Sequence, residues 1–268
     1  MLHPFLSKIK SNHARLGHYL CLGLDPDPAL LPSSYAKDIK GVERFLLDVI
    51  HETHDQVVAY KPNLAFFESF GIEGISLLKV LRKKVPESIP LILDAKRGDI
   101  GNTSRKIASF IFDYLDYDAT TLHPYMGADS LEPFFHYSDR FHFVLCLTSN
   151  LGSMDLEMLS LADGRKLYEA VFDQCKGYLS QFDNVGMVIG ATHPEQLTAL
   201  RKRCTKPLFL VPGVGSQGAT YQEAVAHSIN EDQLTLVNIS RNLLYPSEQY
   251  NEKDPFIEIR RRIQALSY

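Results

Sequence analysis

The sequence predicts a single (β/α)8 barrel covering residues 1–268, and three observations support this fold class. The length of 268 residues suits one barrel of this type. Short apolar runs rich in strand-forming residues alternate with amphipathic, helix-like segments. Several of the runs are continuously apolar rather than alternating, as expected of parallel strands that are covered on both faces.

Eight runs fit the strands of such a barrel. They are residues 19–24, 57–61, 90–95, 119–122, 142–147, 186–189, 208–211 and 234–239. The clearest amphipathic helices between them are predicted at residues 42–54, 72–84 and 164–182. A doubly wound open sheet is the alternative, but it usually carries Gly-x-Gly-x-x-Gly after its first strand, and here Asp25 and Pro26 follow Gly23.

The composition is that of a globular protein without a broad basic surface. The formal net charge is −4, which argues against a nucleic-acid or membrane partner but leaves room for a local positive pocket. No apolar run approaches the length of a membrane span, and the stretch at residues 19–24 is too short for a signal core. The four cysteines have no zinc-site spacing and suit a reducing compartment. We therefore expect a cytoplasmic protein.

Charged residues follow the second and third predicted strands, where a barrel places its active site. Asp94 and Lys96 are two residues apart, so their side chains share one face of the strand, and Asp99 adds a third charge after a glycine turn. Lys61 ends the second strand. A structural salt bridge would explain Asp94 and Lys96 alone, because buried charges are costly unless they are paired. Two lysines and two aspartates at one rim favour a catalytic site.

A glycine-rich segment at residues 211–218 follows the seventh predicted strand and precedes a helical pattern. Three glycines in six residues allow the backbone to approach an anion closely. The eighth strand ends at Ser240 and Arg241, which places a guanidinium beside that loop. Because the loops after strands seven and eight are the usual phosphate site of this barrel, the segment predicts phosphate binding.

Taken together, these segments resemble the orotidine 5′-phosphate decarboxylase family, specifically its longer-chain bacterial branch. The family's Asp-x-Lys-x-x-Asp motif is matched by Asp94, Lys96 and Asp99, and Ile100 and Thr103 follow as expected. The resemblance extends from Asp25 to Arg241 through the other strand ends and the glycine-rich loop. One departure is Leu151, which stands after Thr148-Ser149-Asn150 where the family usually has proline, at the start of a long loop over residues 149–164.

The resemblance implies decarboxylation of orotidine 5′-phosphate to uridine 5′-phosphate and CO2 in pyrimidine biosynthesis, with no metal and no cofactor. Lys96 would stabilise and protonate the carbanion at pyrimidine carbon 6, and Asp94 would lie near the departing carboxylate and position Lys96. Asp25 and Lys61 would contact the ribose hydroxyls, and Ser149 the pyrimidine edge. The phosphate contacts would come from Gly215, Gln217, Ser240 and Arg241.

The resemblance also implies a homodimer, because the family supplies Asp99, Ile100 and Thr103 across the subunit interface. Asp99 would then complete the catalytic array of the partner subunit.

Two other functions remain open at this point. A magnesium-dependent sugar-phosphate barrel, of the hexulose-phosphate synthase or ketogulonate-phosphate decarboxylase type, shares the charged motif. It typically has an acidic residue at the second strand end, where this chain has Lys61. A non-catalytic nucleotide-binding barrel would keep the phosphate site but would not need Asp94, Lys96 and Asp99 together.

Three further features are interpreted as structural. His123 is expected to pack or to support the pocket, and His193 precedes Pro194 at a helix start. The run Arg260-Arg261-Arg262 is expected to form the solvated face of a terminal helix.

Overall fold

The computed structural model describes residues 2–215, 218–245, 254 and 256–266, and its eight strands form one parallel sheet. Each of the eight predicted runs overlaps a strand whose ends lie within two residues of the predicted bounds. The strands are β1 (Leu20–Leu24), β2 (Ala59–Pro62), β3 (Ile92–Arg97), β4 (Ala119–Leu122), β5 (Phe141–Leu147), β6 (Val185–Ile189), β7 (Phe209–Val211) and β8 (Leu236–Ile239).

The sheet closes into a barrel. Its strand order is β2-β1-β8-β7-β6-β5-β4-β3, and the two end strands meet through parallel bridges from Tyr60 to Leu91 and from Asn63 to Asp94. The Tyr60 N–H donates to the Pro90 carbonyl at 3.0 Å across the same seam. The prediction of a (β/α)8 barrel is therefore confirmed, and the open-sheet alternative is excluded. All eight strands end at one rim, where their polar residues can converge.

Helices cover the outside of the barrel, and the three predicted helices correspond to α2, α4 and α7. The helices are α1 (Pro4–Leu16), α2 (Ile39–Thr53), α3 (Leu64–Glu68), α4 (Gly71–Lys84), α5 (Gly101–Ser109), α6 (Ala128–Phe135), α7 (Leu167–Leu179), α8 (Pro194–Arg203), α9 (Tyr221–Ser228), α10 (Arg241–Leu244) and α11 (Ile257–Gln264). Within the described residues, no helix combines the length and the apolar character needed to cross a membrane.

Helix α2 shows how the sequence determines these outer elements. The Asp38 carboxylate caps its first turn by accepting the Gly41 N–H at 2.9 Å. Its buried residues recur at helical spacing and so form one apolar face against the barrel, namely Val42, Phe45, Leu46, Val49 and Ile50.

Helix α1 closes the N-terminal end of the barrel. Phe5 stacks on Phe141 of β5 with ring centroids 4.8 Å apart, and Ile9 is fully buried in the same cluster. The Asn12 amide donates to the Val58 and Ser88 carbonyls and so fixes the helix across this end. Because apolar side chains fill the barrel below, a ligand site can open only at the C-terminal rim.

Candidate active site

A cavity of about 400 Å³ opens at the C-terminal rim of the barrel. Its volume falls within the range of roughly 300–1,000 Å³ that is usual for small-molecule sites. Seven of the site residues predicted from the sequence line this cavity, namely Asp25, Lys61, Asp94, Lys96, Ser149, Ser240 and Arg241. Apolar side chains of β5, β6 and β7 also contribute to the wall, namely Leu145, Val188 and Leu210.

Asp94 lies at the centre of the charged residues. Its Oδ2 accepts a hydrogen bond from the Lys61 ammonium at 2.7 Å, and its Oδ1 accepts one from the Lys96 ammonium at 2.6 Å. The Thr121 hydroxyl also donates to Oδ1, at 2.9 Å. Lys61 is only 4% exposed, whereas the Lys96 side chain is 48% exposed and so can reach a molecule in the cavity.

This arrangement keeps Lys61 and Asp94 charged. Burial alone would lower the pKa of the Lys61 ammonium, but the carboxylates of Asp94 and Asp25 outweigh it and raise this pKa above its usual value. Burial would likewise raise the pKa of the Asp94 carboxyl, but Lys61 and Lys96 hold this pKa far below its ordinary value. Asp94 is therefore an anion at neutral pH, hydrogen-bonded to both lysine side chains.

Asp25, at the end of β1, has an unused acceptor. Its side chain is buried, and its Oδ1 has no hydrogen-bond partner among the described residues. A buried acceptor without a donor is unfavourable, so a ligand hydroxyl entering the cavity would improve its environment.

Lys96 has an unusual backbone conformation. Its φ is +48°, in the left-handed region that costs a residue with a side chain about 1–3 kcal/mol. The cause is a bulge in β3, because Leu93 pairs with Thr120 and Arg97 pairs with Leu122. Three residues of β3 are thus opposed by one residue of β4. The bulge turns the Lys96 side chain towards Asp94.

Asp99, Ile100 and Thr103 do not line the cavity of their own chain. Ile100 is 61% exposed and Thr103 is also exposed, at the start of α5. Tyr125 and Met126 lie in the neighbouring loop after β4 and are exposed as well. Ile100, Tyr125 and Met126 are thus exposed apolar side chains that take no part in the cavity wall.

His123 supports the turn that leads to Asp99. Its Nε2 lies 3.1 Å from the Gly98 carbonyl oxygen, and its own N–H donates to the Arg97 carbonyl at 3.0 Å. A Cβ on Gly98 would lie 3.0 Å from the His123 ring and from its carbonyl oxygen, so a larger residue would crowd this turn. His123 has the supporting position that the sequence suggested.

The segment that carries Ser149 is held by two side chains that sequence reasoning did not assign to the site. The Thr148 N–H and hydroxyl both donate to the Glu157 carboxylate, at 2.7 and 2.8 Å. His193 precedes α8 as predicted, but its Nε2 also lies 3.1 Å from the Thr148 carbonyl oxygen. The loop that follows begins with a short 3-10 helix, Leu151–Asp155.

The glycine-rich loop after β7 has a backbone conformation that only glycine adopts easily. Gly213 has φ of +98° and Gly215 has φ of +84°. Gly213 lines the cavity, whereas Gly215 lies just beyond it and donates its N–H to the Ala219 carbonyl at 3.0 Å. Gln217 lies outside the described residues.

Arg241 provides the positive charge at this end of the cavity. It is exposed, and it forms no ion pair within the part of the chain that the structure describes. Ser240 precedes it and packs against Gly23 of β1, where a Cβ would lie 1.9 Å from the serine Oγ. An unpaired guanidinium at the mouth of a cavity is well suited to bind a phosphate.

Sequence reasoning missed four polar residues that line the cavity, namely Asn63, Thr121, Asn238 and Asn242. The first three each lie two residues from a strand-end residue that was recognised, but this spacing alone does not distinguish a lining residue from an ordinary buried one. They were missed because uncharged side chains within apolar runs are common in strands and carry little signal by themselves.

The family model described as orotidine 5′-phosphate decarboxylase / HUMPS matches residues 18–250. The chain belongs to this family. It is similar to orotidine 5′-phosphate decarboxylase of Roseiflexus castenholzii, with 48% identity over 233 residues that cover 87% of this chain and 85% of the relative. The enzyme of the same name from Herpetosiphon aurantiacus is 41% identical over 91% of this chain and 90% of its own.

Solved structures give the same result. The chain is similar to OMP decarboxylase of Leishmania donovani, with a TM-score of 0.83, 38% identity and coverage of 98% of both chains. The resemblance that the charged motif and the phosphate segment indicated is therefore confirmed.

Proposed function

We propose that this chain converts orotidine 5′-phosphate to uridine 5′-phosphate and CO2, a step of pyrimidine biosynthesis. Its relatives in this family are named for that decarboxylase activity. The observation that carries the proposal is the Lys61–Asp94–Lys96 array in a cavity that is also lined by Arg241, which has no ion pair among the described residues. The array is suited to stabilise a carbanion, and Arg241 is suited to hold a phosphate.

Lys96 is the group that acts on the reacting carbon in this proposal. When the bond between ring carbon 6 and the carboxylate breaks, CO2 leaves and the electron pair stays on carbon 6. The Lys96 ammonium stabilises this charge and then transfers one proton to carbon 6, after which solvent restores the proton to the amine. The exposure of the Lys96 side chain to the cavity allows this contact.

Asp94 holds Lys96 in position before the substrate arrives. Since its carboxylate is bonded to both lysines, the array does not need to reorganise as charge develops at carbon 6. Such a slow uncatalysed reaction needs roughly 20 kcal/mol of barrier reduction, which one lysine contact does not supply. Binding energy from the phosphate must contribute by ordering the site around the substrate.

The remaining predicted contacts fit a nucleotide lying across the cavity. Asp25 has a free acceptor for a ribose hydroxyl beside Lys61, and Ser149 lies on the wall where the pyrimidine edge would be. Ser240 and Arg241 lie at the phosphate end. We assign Gly215 and Gln217 to the loop that covers the phosphate.

A homodimer that shares its sites is part of the proposal. Asp99, Ile100 and Thr103 do not line their own cavity, and Ile100, Tyr125 and Met126 are exposed apolar side chains. Apolar surface of this kind is typical of a subunit interface. A cytoplasmic location is also proposed, because a reducing compartment suits the free cysteines of the described chain.

The magnesium-dependent sugar-phosphate reaction is the competing activity within the same family. Against it, Lys61 occupies the second strand end, and the described residues contain no group of three or more His, Cys, Asp or Glu side chains suited to hold a metal ion.

The test is an absorbance assay with orotidine 5′-phosphate, run with and without a chelator. We expect turnover that the chelator does not change. Chelator-sensitive turnover of a hexulose phosphate instead would establish the competing activity. Tight binding of uridine 5′-phosphate without any turnover would indicate a nucleotide-binding barrel that is not an enzyme.

A further inference from the structure

Thr121 of β4 makes two hydrogen bonds within the charged array and has a role beyond packing. Its side chain points into the barrel, is 2% exposed and lines the cavity. Its Oγ1 accepts the Lys96 N–H at 2.9 Å and lies 2.9 Å from Asp94 Oδ1. One hydroxyl thus joins the backbone of one proposed catalytic residue to the carboxylate of another.

The direction of both hydrogen bonds is determined by chemistry. A backbone N–H can only donate, so Oγ1 is the acceptor towards Lys96. The Asp94 carboxylate is ionised and can only accept, so the single hydroxyl proton is directed at Oδ1. Because threonine is β-branched, its χ1 is restricted, and the hydroxyl is held in place by the strand itself.

The bulge in β3 explains why a side chain is needed at this point. Between the pairs Leu93–Thr120 and Arg97–Leu122, three residues of β3 oppose Thr121 alone. The Lys96 N–H therefore takes the Thr121 side chain as its acceptor. This bond also helps to hold Lys96 at its positive φ of +48°.

We propose that Thr121 is a positioning residue for decarboxylation, acting through Lys96 and Asp94. It fixes the backbone from which the Lys96 side chain extends and the carboxylate oxygen to which the ammonium is bonded. Thr121 itself need not touch the substrate. This inference rests on the proposed function, since it assumes that Lys96 acts on the reacting carbon.

The strand supplies a matched control in Thr120. Thr120 is also fully buried, and its hydroxyl donates to the Leu93 carbonyl of β3 at 2.9 Å. It is absent from the cavity lining and makes no hydrogen bond to the charged array. Thr120→Val therefore removes a buried hydroxyl from the same strand without disturbing the positions of Lys96 and Asp94.

The experiment compares steady-state kinetics of Thr121→Val, Thr121→Ser and Thr120→Val with those of the wild type on orotidine 5′-phosphate. Loss of two hydrogen bonds that position the acid should lower kcat of Thr121→Val by about 10- to 100-fold. Its KM, and its Kd for uridine 5′-phosphate, should stay within about threefold because the ligand contacts remain. Thr121→Ser keeps the hydroxyl and should retain most of kcat, and Thr120→Val should keep wild-type kcat.

Several outcomes would overturn the inference. A kcat of Thr121→Val within twofold of the wild type, or an equal loss in Thr120→Val, would make Thr121 an ordinary buried residue. A raised KM at unchanged kcat would make it a substrate contact. If Thr121→Val does not fold, Thr121→Ala removes the same hydroxyl without added bulk and is held to the same criteria. An inactive wild type would instead refute the proposed function.

Discussion

At the scale of single residues, the proposed function depends on the three side chains that donate hydrogen bonds to Asp94. Its two oxygens receive two ammonium groups and one hydroxyl, so removal of either lysine leaves a carboxylate that is still paired. The two lysines differ in burial: Lys61 is enclosed, whereas Lys96 is half exposed. Substitution of Lys96 therefore tests chemistry with little cost in stability, whereas substitution of Lys61 would leave a cavity and a buried carboxylate with fewer donors.

We expect Lys96→Ala to abolish turnover of orotidine 5′-phosphate while the protein still folds. The proton donor is lost, but Arg241 and the glycine-rich loop still bind the phosphate. Calorimetric titration should give a Kd for uridine 5′-phosphate close to that of the wild type. Lys202→Ala, an exposed lysine at the end of α8, is the control and should be fully active. Turnover above a small percentage of wild type in Lys96→Ala would remove Lys96 from its role.

Arg241→Ala should impair the enzyme only when the substrate carries a phosphate. With orotidine 5′-phosphate we expect kcat/KM to fall by about 100-fold or more, since a charge-assisted contact is worth about 1.5–3 kcal/mol and also supports catalysis. With the nucleoside orotidine, kcat/KM should be nearly equal for the wild type and the variant, because this substrate has no phosphate for Arg241 to contact. Equal damage with both substrates would mean that Arg241 is structural.

The charged residues of the site could be predicted from the sequence because charges at the ends of apolar strands need an explanation. Thr121 and Asn238 could not, since a buried threonine or asparagine in a strand is ordinary. His193 was recognised as a helix start, but its contact with Thr148 joins segments that are 45 residues apart. Sequence spacing carries no information on such a contact.

At the scale of elements, strand positions were predictable and the details of pairing were not. Short apolar runs, several of them continuous, identified all eight strands, because strands buried on both faces have little choice of residue. The bulge in β3 left no such signal, since Asp94, Ala95 and Lys96 would also fit a regular strand end. Yet this bulge brings the Lys96 backbone to Thr121, and a regular ladder would direct the Lys96 N–H to β4 backbone instead.

Strand β5 carries His142, which should make stability depend on pH. The side chain is fully buried among the rings of Phe112, Phe134 and Phe135, and burial lowers its pKa from 6.5 to about 3. Between about pH 6.5 and pH 3, His142 is protonated in the unfolded chain but neutral in the folded chain. The free energy of unfolding should therefore fall as pH drops from about 6.5 towards 3, by up to about 1.4 kcal/mol per pH unit from this group.

Urea denaturation of the wild type, His142→Phe and His142→Leu at pH 7.5 and pH 5.5 measures this contribution. The two variants differ in packing, which does not depend on pH, but both should lose less stability than the wild type on acidification. His51→Ala removes an exposed histidine and should behave as the wild type does. Parallel pH dependence in all four proteins would show that His142 makes no contribution.

At the scale of the whole molecule, one end of the barrel provides stability and the other provides the site. Helix α1 and apolar side chains fill the N-terminal end, so six of the strands can place polar residues at the C-terminal rim without opening the core. The cavity of one chain is nevertheless not lined by all of the predicted site residues of that chain. Asp99 follows the turn at Gly98 and does not line its own cavity, and the next residue, Ile100, is an exposed apolar side chain.

A mixture of two inactive variants tests whether subunits share their sites. In a two-fold dimer, each site would take Lys96 from one chain and Asp99 from the other. Lys96→Ala and Asp99→Asn homodimers should both be nearly inactive. After dissociation and random reassortment, about half of the dimers are mixed, and each mixed dimer has one site with both residues intact. Activity should therefore recover to about a quarter of the wild-type level.

Differently tagged subunits allow the mixed dimers to be isolated, so that reassortment is verified independently of activity. Purified mixed dimers should have half of the wild-type kcat and an unchanged KM, because one of their two sites is intact. The control is a mixed dimer of Lys96→Ala with Lys96→Ala/Asp99→Asn, which contains no intact site under either arrangement and should be inactive. If verified mixed dimers of the two single variants are equally inactive, each Asp99 serves its own chain, and the exposed surface around Ile100 has another purpose.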